Sequence, residues 1–301
     1  MNKLLSPKND VVFQKLFGVK QHEKILISFL NSILEPSGND RIKSLTFEEK
    51  TLDVSLIASE KLSILDIRVI TESNVNINVE IQLINQYNMI KRTFYYMSKM
   101  LLKQLVKGDN YKDLNKTITI NIVDFNCIDN ESFKSCFHFY EDTTKKILSD
   151  ILEIHFIELP KFNETEKDYC DKLHKWLTFL INPEGKEMDL LKKEDNEIKE
   201  AMDILYQISG DKELVQLAEI RDKAIRDEND RLEGSREEGR KEGVKEGQKE
   251  GIKQGIKQGV EKEKIDTVLR LNSLGLSIEQ IAKGVELTNE QVKDILDKKS
   301  N

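Results

Sequence analysis

Residues 75–83 read Val-Asn-Ile-Asn-Val-Glu-Ile-Gln-Leu, with apolar and polar side chains alternating at every position. A period of two belongs to a β-strand with one face in the core and one polar face. It puts Asn76, Asn78, Glu80 and Gln82 on the same face. Residues 63–70 read as a second strand, and Thr71-Glu72-Ser73-Asn74 supplies turn chemistry between the two.

An antiparallel hairpin centred near Ser73 sets Asp66 opposite Glu80, with both carboxylates on one face. Like charges directly across a ladder repel. Two kinds of partner answer this. Arg68 can neutralise either acid. Alternatively, a divalent cation held by oxygen ligands can do so, and Mg²⁺ is satisfied by one or two carboxylates plus waters.

Further marks accompany this hairpin. They are Asn9-Asp10-Val11-Val12-Phe13-Gln14-Lys15-Leu16-Phe17-Gly18, Leu65-Asp66-Ile67-Arg68, Val79-Glu80-Ile81-Gln82 and Tyr95-Tyr96. Later come Ile154-His155-Phe156-Ile157-Glu158-Leu159-Pro160-Lys161-Phe162 and Trp176-Leu177-Thr178-Phe179-Leu180. In order and combination, from about residue 5 to 180, they resemble the PD-(D/E)XK nuclease superfamily. More narrowly, they resemble the Rpn-type recombination-promoting nucleases, also called transposases, of that superfamily.

The resemblance implies a Mg²⁺-dependent DNA endonuclease, with Mn²⁺ as a substitute ion, in a setting of recombination, mobile elements or phage defence. It implies that Asp66 and Glu80 are the acidic metal ligands and that Asp10 is the acid of the first helix. The same Asp10 also reads as a helix N-terminal acid favoured by the macrodipole. Gln82 stands where the superfamily motif has lysine. Glutamine cannot act as a general base, but its amide can orient a water or contact a phosphate. The implied chemistry is in-line attack by a metal-activated water, without a covalent protein nucleophile. The other function class is a DNA-binding or assembly protein that keeps the fold with a weak or inactive site.

Residues 87–107 read as a helix with apolar positions Ile90, Phe94, Met97, Leu101 and Leu105. Arg92 and Tyr96 lie four apart and share a face, as candidate phosphate contacts beside the metal. Lys91, Lys99 and Lys103 read as a solvated surface.

Composition limits the alternatives. The 301 residues are 38% hydrophobic and 34% charged, which suits a modest core with long solvated helices. A net charge of −7 is unfavourable for a general nucleic-acid binder, but residues 1–100 carry 13 basic against 11 acidic side chains. A local basic groove there could engage phosphates in a salt-dependent way. No apolar run approaches a membrane span, and the first residues lack the apolar core of a signal peptide. Cys127, Cys136 and Cys170 have no paired spacing and suit reduced thiols in a cytoplasm. His22, His138, His155 and His174 show no zinc-like grouping and read as structural.

The expected architecture is α/β: a mixed central sheet of the PD-(D/E)XK kind flanked by helices, with a helical C-terminal extension. Helix is expected over 10–34 with a break near Gly18, then strands at 42–51, 117–123, 136–140 and 152–159 besides the hairpin. Helices follow at 164–180 and from 195 onward. The expected domains are a nuclease domain at 1–185, a helical extension at 186–232, a repeat at 233–264 and a small helix-turn-helix-like unit at 265–301.

The repeat places Gly239, Gly243, Gly247, Gly251, Gly255 and Gly259 four residues apart. It reads either as a charged linker, since glycine costs about 1 kcal/mol each inside a helix, or as one long helix. In the second reading a glycine column would admit a partner helix and support homo-oligomers. Ser277 with Gln280 and Thr288 with Gln291 each read as a capping box. Gly284 reads as the end of the first of these two helices. The second carries Glu290, Asp294 and Asp297 and no arginine. It therefore suits packing or oligomerisation better than the reading of base edges.

Overall fold

The computed structural model describes residues 4–48 and 66–298. They fall into two compact units, residues 4–229 and 230–298. Residues 49–65 lie outside the described residues. With them go the end of the strand expected at 42–51 and the first residues of the one expected at 63–70.

The first unit is built on a six-stranded sheet of order β1-β2-β3-β4-β6-β5. The strands are β1 (Leu45–Phe47), β2 (Ile67–Thr71), β3 (Asn76–Gln82), β4 (Thr117–Val123), β5 (Lys134–Tyr140) and β6 (Ile147–Glu158). β1, β2 and β3 run antiparallel in succession, β4 lies parallel to both β3 and β6, and β5 closes the edge antiparallel to β6. The sheet is therefore mixed and the chain is α/β, as expected. β4, Thr-Ile-Thr-Ile-Asn-Ile-Val, is buried throughout, as suits a β-branched strand at the sheet's centre.

Helices cover both faces. Ile77, Val79 and Ile81 of β3 and Ile118, Ile120 and Ile122 of β4 face the larger core. Packed there are α1 (Asp10–Phe17) and α2 (Glu23–Leu34), whose Phe13, Phe17 and Phe29 cluster with Trp176. On the opposite face, Met89 and Met97 of α3 (Met89–Gln104) cover Val123, Ile154 and Phe156. The apolar stripe expected on α3 is shifted by one row. Its buried residues are Met89, Thr93, Met97 and Met100, whereas Ile90 and Phe94 are exposed. The sheet beneath this helix is largely polar, so α3 lays Thr93 and Arg92 on it instead of its most apolar row.

The helix expected at 164–180 begins later, as α5 (Lys172–Ile181), and a separate short helix, α4 (Leu159–Glu164), precedes it. Pro160 occupies the first turn of α4, where its missing N–H costs nothing. Asp171 caps α5 by accepting from the N–H groups of Leu173 and His174. After α6 (Met188–Glu194) come α7 (Asn196–Ser209) and α8 (Lys212–Ser273). Ile198, Met202, Leu205, Leu214 and Ala218 all belong to the larger core, so these helices pack into the same interior as the sheet.

Asp195 holds the start of α7. Its carboxylate accepts from Ile198 N at 3.1 Å and from Lys172 Nζ at 2.6 Å. Burial opposes its ionisation, but these donors outweigh burial and hold the carboxyl below the usual aspartate range. A carboxyl lowered in the folded state adds stability above its unfolded pKa, and that stability is lost as pH falls through the folded value. Asp195→Ala is therefore expected to cost about 2 kcal/mol at neutral pH, the sum of a lost cap and a lost charged bond. Urea denaturation should show the deficit shrinking as pH falls below the ordinary aspartate range, and a pH-independent deficit would refute this account.

In the second unit the glycine repeat is helical and belongs to α8. A Cβ added at any of the six glycines 239 to 259 would meet no atom within 4 Å. The capping boxes at Ser277 and Thr288 are both formed and open α9 (Ile278–Val285) and α10 (Asn289–Asp297). Val268, Ile281, Ala282, Val285 and Val292 make a small core. Gly284 does not end α9. The left-handed position falls on Glu286, at φ 53°, which lets Leu287 turn into that core and donate its N–H to Ala282 O.

Candidate active site

The register of the β2–β3 hairpin pairs Ile67 with Val79. One step further along the ladder, Asp66 stands beside Glu80. Both are buried, at 5% and 4% exposure. They lie on the face that carries Arg68, Asn78 and Gln82, opposite the larger core.

Two guanidinium groups accompany the two acids. Arg68 Nη2 lies 3.6 Å from Asp66 Oδ2 and its Nε donates to Asn78 Oδ1 at 3.2 Å. Arg92, from α3, donates to Glu80 Oε1. Its planar group also sits 5.7 Å from the centre of the half-buried Tyr96 ring. The nearly dry setting makes each charge dependent on its partner. Arg92 Nε is buried and has no hydrogen-bond partner among the described residues. It is a donor left for an incoming acceptor.

The neighbouring strand completes the polar floor. β3 and β4 run in register, so Asn121 lies beside Glu80 and Thr119 beside Asn78. Asn121 accepts from Thr93 Oγ1 at 3.1 Å and donates to His155 O at 3.0 Å. This locks α3 onto the sheet and so fixes where Arg92 reaches. Gln82 turns its amide to Ile84 O at 3.3 Å. Its main-chain oxygen accepts from Asp124 N, and the Asp124 side chain binds Lys8 at 2.6 Å. Lys91, Lys99 and Lys103 are exposed.

Asp10 is held differently. Its carboxylate takes Arg221 Nε at 2.9 and 2.8 Å, and a further bond from Nη2 of the same arginine. Both residues are buried. The adjacent Asn9 caps α1 through Val11 N and Val12 N, and donates to Ala218 O and Asp222 Oδ1 of α8. Asn9 and Asp10 thus bolt α1 to the first turns of α8.

Asp66 and Glu80 offer only carboxylate oxygens, the donor set of a hard divalent cation. In charge and donor type the pair fits such an ion, with Arg68 and Arg92 as the competing counter-charges. A second polar group escaped the sequence reading. Cys136, His138, Glu153 and His155 meet on the opposite face of the sheet, at the β5–β6 edge. Its signal was the i, i+2 spacing within each strand. Burial opposes ionisation of Glu153, yet bonds from His155 and Lys116 hold its carboxyl at about 2.

The family model for the PD-(D/E)XK nuclease family transposase matches residues 7–235. That span takes in the whole sheet, α3 and the Arg221 that grips Asp10. No curated protein and no solved structure gives a significant match.

Proposed function

Since the chain belongs to the PD-(D/E)XK nuclease family transposases, we propose that it is a metal-dependent DNA endonuclease that hydrolyses phosphodiester bonds at Asp66 and Glu80. Its narrower assignment to the recombination-promoting nucleases, in recombination, mobile elements or phage defence, is part of the same proposal. The observation that carries it is the burial of two carboxylates side by side on one sheet face, with Arg92 presenting an unused buried donor beside them.

Mg²⁺ or Mn²⁺ held by Asp66 and Glu80 would supply a bound water of lowered pKa and positive charge at a phosphoryl oxygen. The chain's own groups do the rest. Arg92 exchanges part of its bond to Glu80 for a backbone phosphate, which its forked donors match. Tyr96 limits the directions that guanidinium can take. Arg68 stays on Asn78 and offsets the negative charge of Asp66. Gln82 carries no charge, so it orients a water through its amide and takes no proton.

A second reading has an observation of its own. Both acids already have an arginine, and the Gln82 amide is spent on main chain. That suits a weak or inactive DNA-binding or assembly protein. Incubating the purified chain with supercoiled plasmid separates the two. The nuclease reading expects nicked or linear product with Mg²⁺ and none with EDTA. A salt-sensitive gel shift with no cleavage in either Mg²⁺ or Mn²⁺ would favour the second reading.

A further inference from the structure

β5 and β6 bring four metal-binding side chains together. The ladder pairs Cys136 with His155 and Phe137 with Ile154; His138 falls at the register shift that follows, and its Nε2 lies 3.4 Å from Glu153 Oε2. Cys136 and His138 are two residues apart on one strand, and Glu153 and His155 two apart on the other. All four therefore share one face. Across that shift Phe139 pairs with Ser149. Such a bulge strengthens local twist and re-aims side chains.

The resulting distances are short. Cys136 Sγ lies 3.8 Å from His138 Nδ1 and 3.7 Å from His155 Nε2. Glu153 Oε2 is 3.4 Å from His138 Nε2, and Oε1 is 2.5 Å from His155 Nε2. One ligand atom from each of Cys136, His138 and Glu153 falls within 4.8 Å of the other two. Tetrahedral Zn²⁺, with bonds of about 2.0–2.3 Å, needs ligand atoms roughly 3.3–3.6 Å apart. The observed set is about an ångström of side-chain adjustment from that.

We propose that Cys136, His138 and Glu153 form a binding site for Zn²⁺ or a similar borderline-soft divalent cation, separate from the Asp66–Glu80 pair. The donor set argues for this class of ion, because thiolate and imidazole select zinc-like metals over Mg²⁺. His155 is the orienting group. Buried at 3% exposure, it holds Glu153 Oε1 while Oε2 faces His138. Supporting hydrogen bonds of this kind are common around ligating carboxylates. Lys116, 2.6 Å from Oε2, is the counter-charge the ion displaces. Cys136 is exposed, so the ion enters from solvent, and three protein ligands leave a fourth position open. The site spans the bulge and clips the edge hairpin closed.

The test uses the full-length chain with Co²⁺ as a spectroscopic stand-in and with Zn²⁺ alone in calorimetry. The wild type should show thiolate-to-Co²⁺ charge-transfer absorption that Zn²⁺ abolishes by competition. Cys136→Ser should lose that band, although Cys127 and Cys170 remain. His138→Ala keeps every cysteine and should weaken Zn²⁺ binding by about a hundredfold or more. Glu80→Gln should retain the band, which keeps this result independent of the nuclease reading. Absence of the band in the wild type, or its persistence in Cys136→Ser, overturns the proposal.

Discussion

Glu80→Gln is expected to lower Mg²⁺-dependent plasmid cleavage by about a thousandfold. Glutamine preserves the shape of the side chain and removes its charge. A cation held by two carboxylates contributes several kcal/mol to stabilising charge in the transition state, and about 1.4 kcal/mol corresponds to a factor of ten. Losing about 4 kcal/mol of this gives the thousandfold. Asp66→Asn should fall equally far, and the double variant little further, because groups that act as a unit do not add. The substitution also leaves Arg92, half of a buried ion pair, facing a neutral amide. A charged hydrogen bond of this kind is worth about 1.5–3 kcal/mol, so thermal unfolding must be measured beside cleavage and the assay run well below the midpoint. Wild-type cleavage by either variant would remove these two residues from the chemistry.

The largest expected effect on stability lies at the Asp10–Arg221 pair. Arg221→Ala should destabilise the protein by about 3–5 kcal/mol, since it strands the buried carboxylate of Asp10. For a unit of this size, that corresponds to a fall in Tm of roughly 10 °C. Asp10→Ala should cost a similar amount. Replacing both by apolar residues, Asp10→Leu with Arg221→Met, should recover much of the loss, because a buried ion pair is weak net support once neither charge remains. The experiment also separates two roles for Asp10. Asp10→Asn, assayed below its own unfolding midpoint, retains cleavage if the residue only anchors α8. It loses cleavage if the carboxylate serves the reaction.

The parts that could be read in the sequence are those whose cause is local. The hairpin register followed from nine alternating residues and a short polar turn. Both C-terminal capping boxes followed from a four-residue spacing. The break between α1 and α2 followed from Gly18, whose Cβ would fall 2.6 Å from Gln14 O. What escaped depends on distance along the chain or on a competing local signal. Asp10 and Arg221 are 211 residues apart, and nothing near either announces the other. Cys136-x-His138 and Glu153-x-His155 carry the right period for one strand face, but only the pairing of β5 with β6 unites them. On α3 the buried row is set by the polar sheet below it, which hydrophobicity along the helix does not reveal. Pro160 directly follows the strand expected at 152–159, and proline in a first helical turn was the signal for α4.

The turn between β2 and β3 carries a further consequence. Side chains alternate along both strands, so the parity of the connection decides which face each acid meets. Asn74 adopts a left-handed backbone at φ 59° and Val75 N binds Thr71 Oγ1, which ties this connection to one length. Exchanging residues there is tolerable chemistry. Inserting a single one would send Glu80 into the oily side while Asp66 stayed put, leaving an intact sheet with a dismantled centre. The length of that bend therefore matters to the two carboxylates as much as their own identity does.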